Sequence, residues 1–188
     1  EGFIDNDGDG WRETPDGEDL KLRIDTDAEA GVEYTDTNSI VKENWREIGL
    51  KTIINPMDGS QLQVMQTNAT FDIRDSWEVA NPYNHLMNGR WLVPFGNSRW
   101  APLYGAWEMT RGTTDESTEL DEDPRDRTPP RKKPPEDGPV DRLQELRRKA
   151  MVTPTKEKRD ELVFDMINIH IEKGPFIIGT VGDYYRVG

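Results

Sequence analysis

One stretch near the N-terminus constrains the fold most strongly, because its hydrophobic pattern predicts a strand, a helix and a second strand in succession. Apolar and polar residues alternate over residues 20–26, which is typical of a half-buried strand. A helix capped by Thr35 or Asp36 follows and ends near Glu47, and residues 50–55 form the second strand. Two strands joined in this way through short connections run parallel. The stretch therefore predicts an α/β fold with a mixed, mostly parallel sheet flanked by helices.

The predicted helix carries its apolar residues on one side. Val41, Trp45 and Ile48 recur at helical spacing, and Gly49 follows as a C-terminal cap. We expect this stripe, with Trp45 at its centre, to pack against the sheet.

A third strand is predicted over residues 71–79, after a short helix that begins at Asp58 or Ser60 and ends near Asn68. Asp75 falls on the apolar face of this strand, unlike its neighbours there. A strand end that enters a binding cleft explains such a carboxylate, since open α/β sheets bind ligands beyond the carboxyl ends of their strands. The alternative is a solvated aspartate beside a bulge.

An aspartate-rich loop precedes the first strand, with three carboxylates at alternate positions followed by glycine. This is the D-x-[DN]-x-[DN]-G arrangement of calcium-binding loops, in which oxygen ligands line one side of a tight turn. A strand pattern follows where a complete EF-hand has a second helix. The alternative is an Asx/Gly turn whose side chains bond to their own backbone. The predicted ligands of a structural calcium ion, beyond which no cofactor is expected, are Asp5, Asp7, Asp9, the main-chain carbonyl of Trp11, Glu13 and Asp16.

The region from residue 80 to residue 112 is irregular and rich in aromatic residues. Its prolines and glycines interrupt any periodic pattern. Flat aromatic faces with polar groups at their rim suit a pyranose ring or a peptide side chain. The alternative is that these rings fill the core beneath a long excursion of the chain. The predicted ligand-binding residues are Asp75, Trp77, Asn81, Trp91 and Trp100.

Residues 113–139 differ in composition from their surroundings, and we call them the acidic–proline segment. They are charged, rich in proline and nearly free of large apolar side chains. Because such a segment buries too little surface to offset its ordering entropy, we expect it to be disordered or flexible. It separates an α/β lobe over residues 1–112 from residues 140–188, which complete the same lobe.

The C-terminal part predicts a helical hairpin followed by a strand. Apolar residues recur at helical spacing from Val140 to Ala150. A second helix begins with a Thr153 N-cap and a proline at its first position, and it ends near Lys173. Residues 176–180 form the final buried strand.

The composition excludes several classes of function. A net charge of −13 and a pI near 4.6 repel a phosphate backbone, so nucleic acid is not an expected partner. The sequence has no apolar run as long as a membrane span, and without cysteine it has no disulfide or thiolate site. It also contains no grouped nucleophile and base and no phosphate-binding glycine loop. We do not expect an enzyme.

Four motifs follow one another along most of the chain. They are the loop from Asp5 to Glu13 with its turn and strand, the helix that ends in Ile48-Gly49-Leu50-Lys51, Phe71-Asp72-Ile73, and the tail from Ile169 to Gly182. In this order they resemble the second lobe of family 5 extracellular solute-binding proteins, the receptors of ABC importers for oligopeptides and some oligosaccharides. The resemblance implies one lobe of a two-lobed, class II periplasmic-binding-protein-like fold, with a missing N-terminal lobe.

The resemblance also implies a function. The chain would be the substrate-binding component of an ABC importer and would capture an oligosaccharide or oligopeptide between two lobes, of which it is one. A membrane permease is then its partner, and its location is extracytoplasmic, either periplasmic or on a cell-surface lipoprotein. One segment departs from the family. Many peptide binders carry D-x-x-D-P after the third strand, whereas this chain has Val79-Ala80-Asn81-Pro82-Tyr83, which together with the tryptophans favours an oligosaccharide.

Two other classes remain open on the sequence. A calcium-stabilised extracellular glycan-binding or adhesion module would share the aspartate-rich loop and the aromatic residues, and it would bind its ligand by itself. A glycoside hydrolase fragment would show two carboxylates paired in one cleft.

Overall fold

The computed structural model describes residues 2–29, 32–75, 90–174 and 176–177. The chain divides into two units. The first comprises residues 1–66 and 70–76, and the second comprises residues 67–69 and 77–188.

The first unit is an α/β structure around a three-stranded parallel sheet. The central strand, β1 (Lys21–Asp27), is parallel to both of its neighbours, β2 (Lys51–Met57) on one side and β3 (Ile73–Arg74) on the other. The predicted strand–helix–strand crossover is therefore confirmed. The helices between these strands are α1 (Val32–Arg46) and α2 (Gly59–Asn68).

The alternation of residues in β1 produces two different sheet faces. Ile24 pairs with Ile54 of β2 and with Ile73 of β3, and it is 2% exposed. Asp25 points to the opposite face because successive side chains alternate in a strand. It is also buried, so one face of this sheet is apolar and the other contains a buried charge.

Helix α1 begins earlier than predicted and ends at Arg46, close to the predicted Glu47. It begins at Val32, so Thr35 and Asp36 lie inside the helix and neither caps it. Trp45 is half-buried, as its position in the apolar stripe requires. Ile48 is 54% exposed, because the chain leaves the helix after Arg46 and turns through Gly49, which has a φ of +76°.

The predicted N-cap of α2 is confirmed at Asp58. Its carboxylate accepts hydrogen bonds from the main-chain N–H and the hydroxyl group of Ser60. These bonds lower the pKa of Asp58, because they stabilise its charged form. Strand β2 continues through Pro56 to Met57, two residues beyond the predicted end of the second strand. A proline is tolerated there because β2 lies at the edge of the sheet.

The second unit is helical within its described residues. Its core lies where the last two helices pack against the chain around Leu92. The elements are α3 (Pro102–Thr110), a 3₁₀ helix (Thr114–Ser117), α4 (Pro139–Val152) and α5 (Lys156–Lys173). The buried apolar residues of the core are Leu92, Val93, Leu143, Ala150 and Met166.

Helix α3 lies in the region that was predicted to be irregular. Pro102 occupies its first turn, where a proline is tolerated because the N–H it lacks has no partner inside the helix. Gly105 allows the helix to approach the preceding loop, since a Cβ at this position would lie 2.8 Å from the main-chain oxygen of Gly96. Gly105, one of the glycines that were expected to interrupt a regular pattern, therefore permits close packing of the helix.

The acidic–proline segment is ordered around a buried arginine, in contrast to the predicted disorder. The side chain of Arg131 is 0% exposed, although the whole segment was expected to be disordered or flexible. The segment has few apolar side chains to form a core. Instead, the guanidinium group of Arg131 connects several of its turns by donating hydrogen bonds to them. The acceptors are the main-chain oxygens of Asp115, Thr118 and Pro129 and the carboxylate of Glu119, at 2.8–3.1 Å.

The two C-terminal helices are confirmed, with a shifted boundary between them. Thr153 is the C-cap of α4 and Thr155 is the N-cap of α5, whereas Thr153 was predicted to cap the second helix. The N–H of Thr153 bonds back to the oxygen of Ala150, so this residue still belongs to α4. The predicted final strand over residues 176–180 lies mostly outside the described residues. None of the helices in the described ranges combines the length and apolar character that a membrane span needs.

Candidate functional site

The aspartate-rich loop brings four carboxylates together. Oxygen atoms of Asp5, Asp7, Asp9 and Glu13 all lie within 4.8 Å of one another. The three aspartates are exposed, whereas Glu13 is buried. Four carboxylates at this spacing match the hard oxygen ligands that calcium requires. Asp16, predicted as a further ligand, is exposed and is not part of this group.

The same loop is shaped by side-chain bonds to its own backbone. The carboxylate of Asp5 accepts hydrogen bonds from the N–H groups of Gly8 and Gly10, at 2.7 and 2.9 Å. Both glycines have a positive φ, which permits the tight turn. Glu13 accepts a bond of 2.7 Å from the N–H of Asn6. The loop thus contains the Asx turns of the alternative interpretation as well as the carboxylate cluster.

Arg12 fixes the loop to the turn between α1 and β2. Its Nε donates to the oxygen of Ile48 and its Nη1 to the oxygen of Phe3, each at 2.7 Å. Trp11, whose main-chain carbonyl was predicted as a calcium ligand, has its ring 5.7 Å from the Nζ of Lys51. The contacts of Arg12 hold the loop against this turn.

Asp75 lies directly after β3, at the carboxyl end of the parallel sheet. Its Oδ2 accepts a hydrogen bond from the hydroxyl of Thr26, at the end of β1, and one of 2.7 Å from the amide of Asn38 in α1. Thr26 and Asn38 are buried, and Asp75 is half-buried. The carboxylate is therefore held in a fixed position at the edge where α/β sheets bind ligands. Sequence patterns missed Thr26 and Asn38, because partners so distant along the chain leave no local signal.

A second polar group underlies the sheet. Asp25 is 0% exposed, and it accepts hydrogen bonds from the Nε of Arg23 at 2.8 Å and from the amide of Asn55 at 2.7 Å. Hydrogen bonding to Asp25 raises the pKa of Arg23. A buried charge paired in this way belongs to the scaffold. The alternation of a half-buried strand places Asp25 on the polar face, so no sequence signal indicated that it is buried.

The two predicted aromatic ligand residues in the described chain lie in the second unit. The Trp91 ring lies 5.3 Å from the guanidinium carbon of Arg99. The Trp100 ring stacks on Phe176 with the ring centres 5.2 Å apart, and its Nε1 donates to the oxygen of Trp91. Trp100 also packs against the hydrophobic core, as the structural alternative expects. Trp77 and Asn81 lie outside the described residues.

Buried polar side chains fix the loop that carries these tryptophans. The Nε2 of Gln144 donates to the oxygens of Pro94 and Tyr104, each at 2.9 Å. The hydroxyl of Ser98 donates to the oxygen of Trp100 at 2.8 Å. Both side chains are at most 1% exposed. These bonds therefore hold the main chain around the two tryptophans in place.

Comparison with known proteins identifies structural relatives. No protein-family model matches the sequence, and no curated protein matches it. The oligopeptide-binding protein OppA matches with a TM-score of 0.65 and 24% identity, over 90% of this chain and 26% of that protein. The periplasmic binding protein MelB from Agrobacterium fabrum, in complex with stachyose, matches with a TM-score of 0.58 and 16% identity, over 90% of this chain and 22% of that protein. The oligopeptide-binding protein AppA from Bacillus subtilis, in complex with a nonapeptide, matches with a TM-score of 0.53 and 15% identity, over 92% of this chain and 27% of that protein.

These matches confirm the predicted fold class. The chain is an α/β structure with a small parallel sheet and flanking helices, and it matches a fragment of the periplasmic-binding-protein-like fold. It spans about a quarter of the length of the solved proteins it matches. The similarity reaches across most of the chain, as the order of the sequence motifs predicts.

Proposed function

We propose that this chain is part of the solute-binding component of an ABC importer and forms one wall of a cleft that captures an oligosaccharide or an oligopeptide. The fold it shares with OppA, MelB and AppA, over at least 90% of its own length, is the observation that carries this proposal. The partners would be the other lobe of the binding protein and a membrane permease. The location would be extracytoplasmic, and the chain would not be an enzyme.

Asp75 is the residue of the first unit best placed to contact the solute. Thr26 and Asn38 both donate hydrogen bonds to Oδ2 of Asp75, and this fixes the position of the other carboxylate oxygen, Oδ1. A fixed carboxylate binds hydroxyl or ammonium donors without losing side-chain entropy on binding. Sugars and peptides both supply such donors, so Asp75 supports either class of solute.

The aromatic surface of the second unit favours the oligosaccharide. Trp91 carries a large flat face, which suits a pyranose ring. The proteins of similar structure include binding proteins described in complex with stachyose, with mannohexaose and with a nonapeptide. Oligosaccharides and peptides must therefore both be tested as ligands.

Calorimetric titration distinguishes the two solute classes. A two-lobed protein that contains this chain is titrated with cello-, manno- and xylo-oligosaccharides and with short peptides. Asp75→Asn and Trp91→Leu should each weaken binding of the preferred solute at least about tenfold, and the exposed Asp16→Asn should leave it unchanged. Binding that is indifferent to both substitutions would remove these residues from the proposed site.

We propose a structural calcium ion in the aspartate-rich loop as well. Asp5, Asp7, Asp9 and Glu13 would hold it, since their oxygens already lie within 4.8 Å of one another. Mutual repulsion of four carboxylates is relieved by a divalent cation. The ion would stabilise the loop and its connection to β2, and it would not contact the solute.

The carboxylate cluster also supports a second candidate function, a calcium-stabilised glycan-binding module. Such a module needs no second lobe. It would bind a glycan tightly as the 188-residue chain, and calcium removal would weaken that binding.

A further inference from the structure

An arginine of the second unit has unusual surroundings. The Cζ of Arg147, in α4, lies 3.5 Å from the centre of the Phe95 ring. At this distance the guanidinium group is in direct contact with the ring, which restricts its orientation. The aromatic face attracts the cation, but it provides no conventional acceptor for the N–H groups.

The N–H donors of Arg147 have no protein acceptor within the described residues, and its Nε is buried without one. The adjacent Arg148 differs, because its Nη1 lies 2.7 and 2.8 Å from the two carboxylate oxygens of Glu108. The side chain of Glu108 is only 7% exposed. The Glu108 carboxylate is therefore engaged by Arg148, and no residue in the described part of the chain accepts a hydrogen bond from Arg147.

The local charge is positive in an otherwise acidic chain. The Nε of Arg111 also lies 3.8 Å from the carboxylate of Glu108. Arg148 and Arg111 therefore share this carboxylate, and Arg147 adds a third positive charge. Burial lowers the pKa of Arg147; the Glu108 carboxylate opposes this change and the charge of Arg148 adds to it. Arg147 nevertheless stays protonated at neutral pH. An additional anion would offset the excess of positive charge.

We propose that Arg147 anchors a binding site for a carboxylate group, which would accept two parallel hydrogen bonds from the guanidinium. A carboxylate matches this planar donor pair in geometry as well as in charge. Phe95 holds the donors in position, and Arg148 and Arg111 add long-range attraction. The site lies within the second unit, and it holds or fails independently of the proposed solute cleft.

NMR of the 188-residue chain tests this site directly. The chain is titrated with sodium acetate, and separately with sodium chloride and inorganic phosphate at matched ionic strength. The Nε–Hε signal of Arg147 and the main-chain amide signal of Phe95 are followed. We expect acetate to shift both signals saturably in the millimolar range and chloride to leave them in place.

Two lysine substitutions provide the comparison. Arg147→Lys keeps the charge but removes the planar donor pair, so it should weaken acetate binding about tenfold, measured at Phe95. Arg142→Lys changes an exposed arginine of the same helix and should have no effect. If Arg147→Lys does not fold, the titration of the unmodified chain decides alone. Shifts that follow only ionic strength, or phosphate binding tighter than acetate, would overturn the proposal.

Discussion

Gly49 lies so close to Gly10 that a Cβ on Gly49 would be 3.0 Å from the main-chain oxygen of Gly10. Beside this contact, the N–H of Arg12 donates to the oxygen of Gly49 at 2.8 Å. The aspartate-rich loop and the turn before β2 are therefore packed together as one structure. We expect a change in the loop to affect β2 as well.

Gly49→Ala should destabilise the chain more than Gly17→Ala. Both glycines have a positive φ, +76° and +84°, so alanine strains the backbone at either position. No atom lies within 4 Å of a Cβ at Gly17, whereas Gly49 faces the oxygen of Gly10. We expect Gly49→Ala to cost about 1 kcal/mol more than Gly17→Ala in urea unfolding without calcium. Equal losses would show that the contact is not tight.

The acidic–proline segment should depend on one buried side chain. Arg131→Met leaves its carbonyl and carboxylate acceptors without their donor, and we expect a cost of about 3 kcal/mol or more. Lys133→Met is the matched control, because Lys133 is exposed in the same segment. Limited proteolysis after acidic residues should be fast for Arg131→Met and slow for the control. Fast cleavage of the unmodified chain in this segment would support the disorder that the sequence predicts.

Acid should weaken the same segment through Glu119. Its pKa is lowered by a hydrogen bond from the N–H of Thr128 and by one from Arg131. Because the folded state releases this proton more readily than the unfolded state, the stability that Glu119 contributes is complete above the ordinary glutamate pKa, about 4.3. It is lost as the pH falls through the lowered value. The difference in stability between the unmodified chain and Glu119→Gln should therefore shrink in acid, and a constant difference would contradict this role.

Calcium should stabilise the chain by mass action. At a free concentration about a hundredfold above the dissociation constant, the gain is about 2.7 kcal/mol. Asp7→Asn combined with Asp9→Asn should abolish the rise in melting temperature. Asp16→Asn should preserve it, because Asp16 lies outside the carboxylate cluster. If neither calcium nor a chelator changes the melting temperature, the proposed calcium site is excluded.

Local patterns predicted the elements of this fold where one physical rule dominates. The strand β1 and the cap at Asp58 follow from pleating and from unpaired N–H groups, and both elements appear as predicted. The half-buried alternation does not, because residues 24–26 are all buried. The start of α1 was placed too late because Thr35 and Asp36 cap helices well in general, although here they lie inside the helix.

Interactions between distant residues were not visible in the sequence. Arg131 orders a segment whose composition is typical of disorder, because its partners are main-chain oxygens that every residue carries. Asp75 was selected for its unusual position in a strand, yet Thr26 and Asn38, which hold it, gave no sign. The spacing of the acidic residues predicted the carboxylate cluster correctly except for Asp16, which is exposed and lies outside the cluster.

The central claim is that this chain is one wall of a solute cleft, and calorimetry of two proteins tests it most directly. The 188-residue chain and a two-lobed protein that contains it are titrated with the same oligosaccharides and peptides. One wall buries only part of a solute but still costs its translational and rotational freedom. We predict millimolar or no binding by the chain alone and micromolar or tighter binding by the two-lobed protein, a gain of about 4 kcal/mol or more. Tight stoichiometric binding by the chain alone, or no binding of either solute class by the two-lobed protein, would contradict the account.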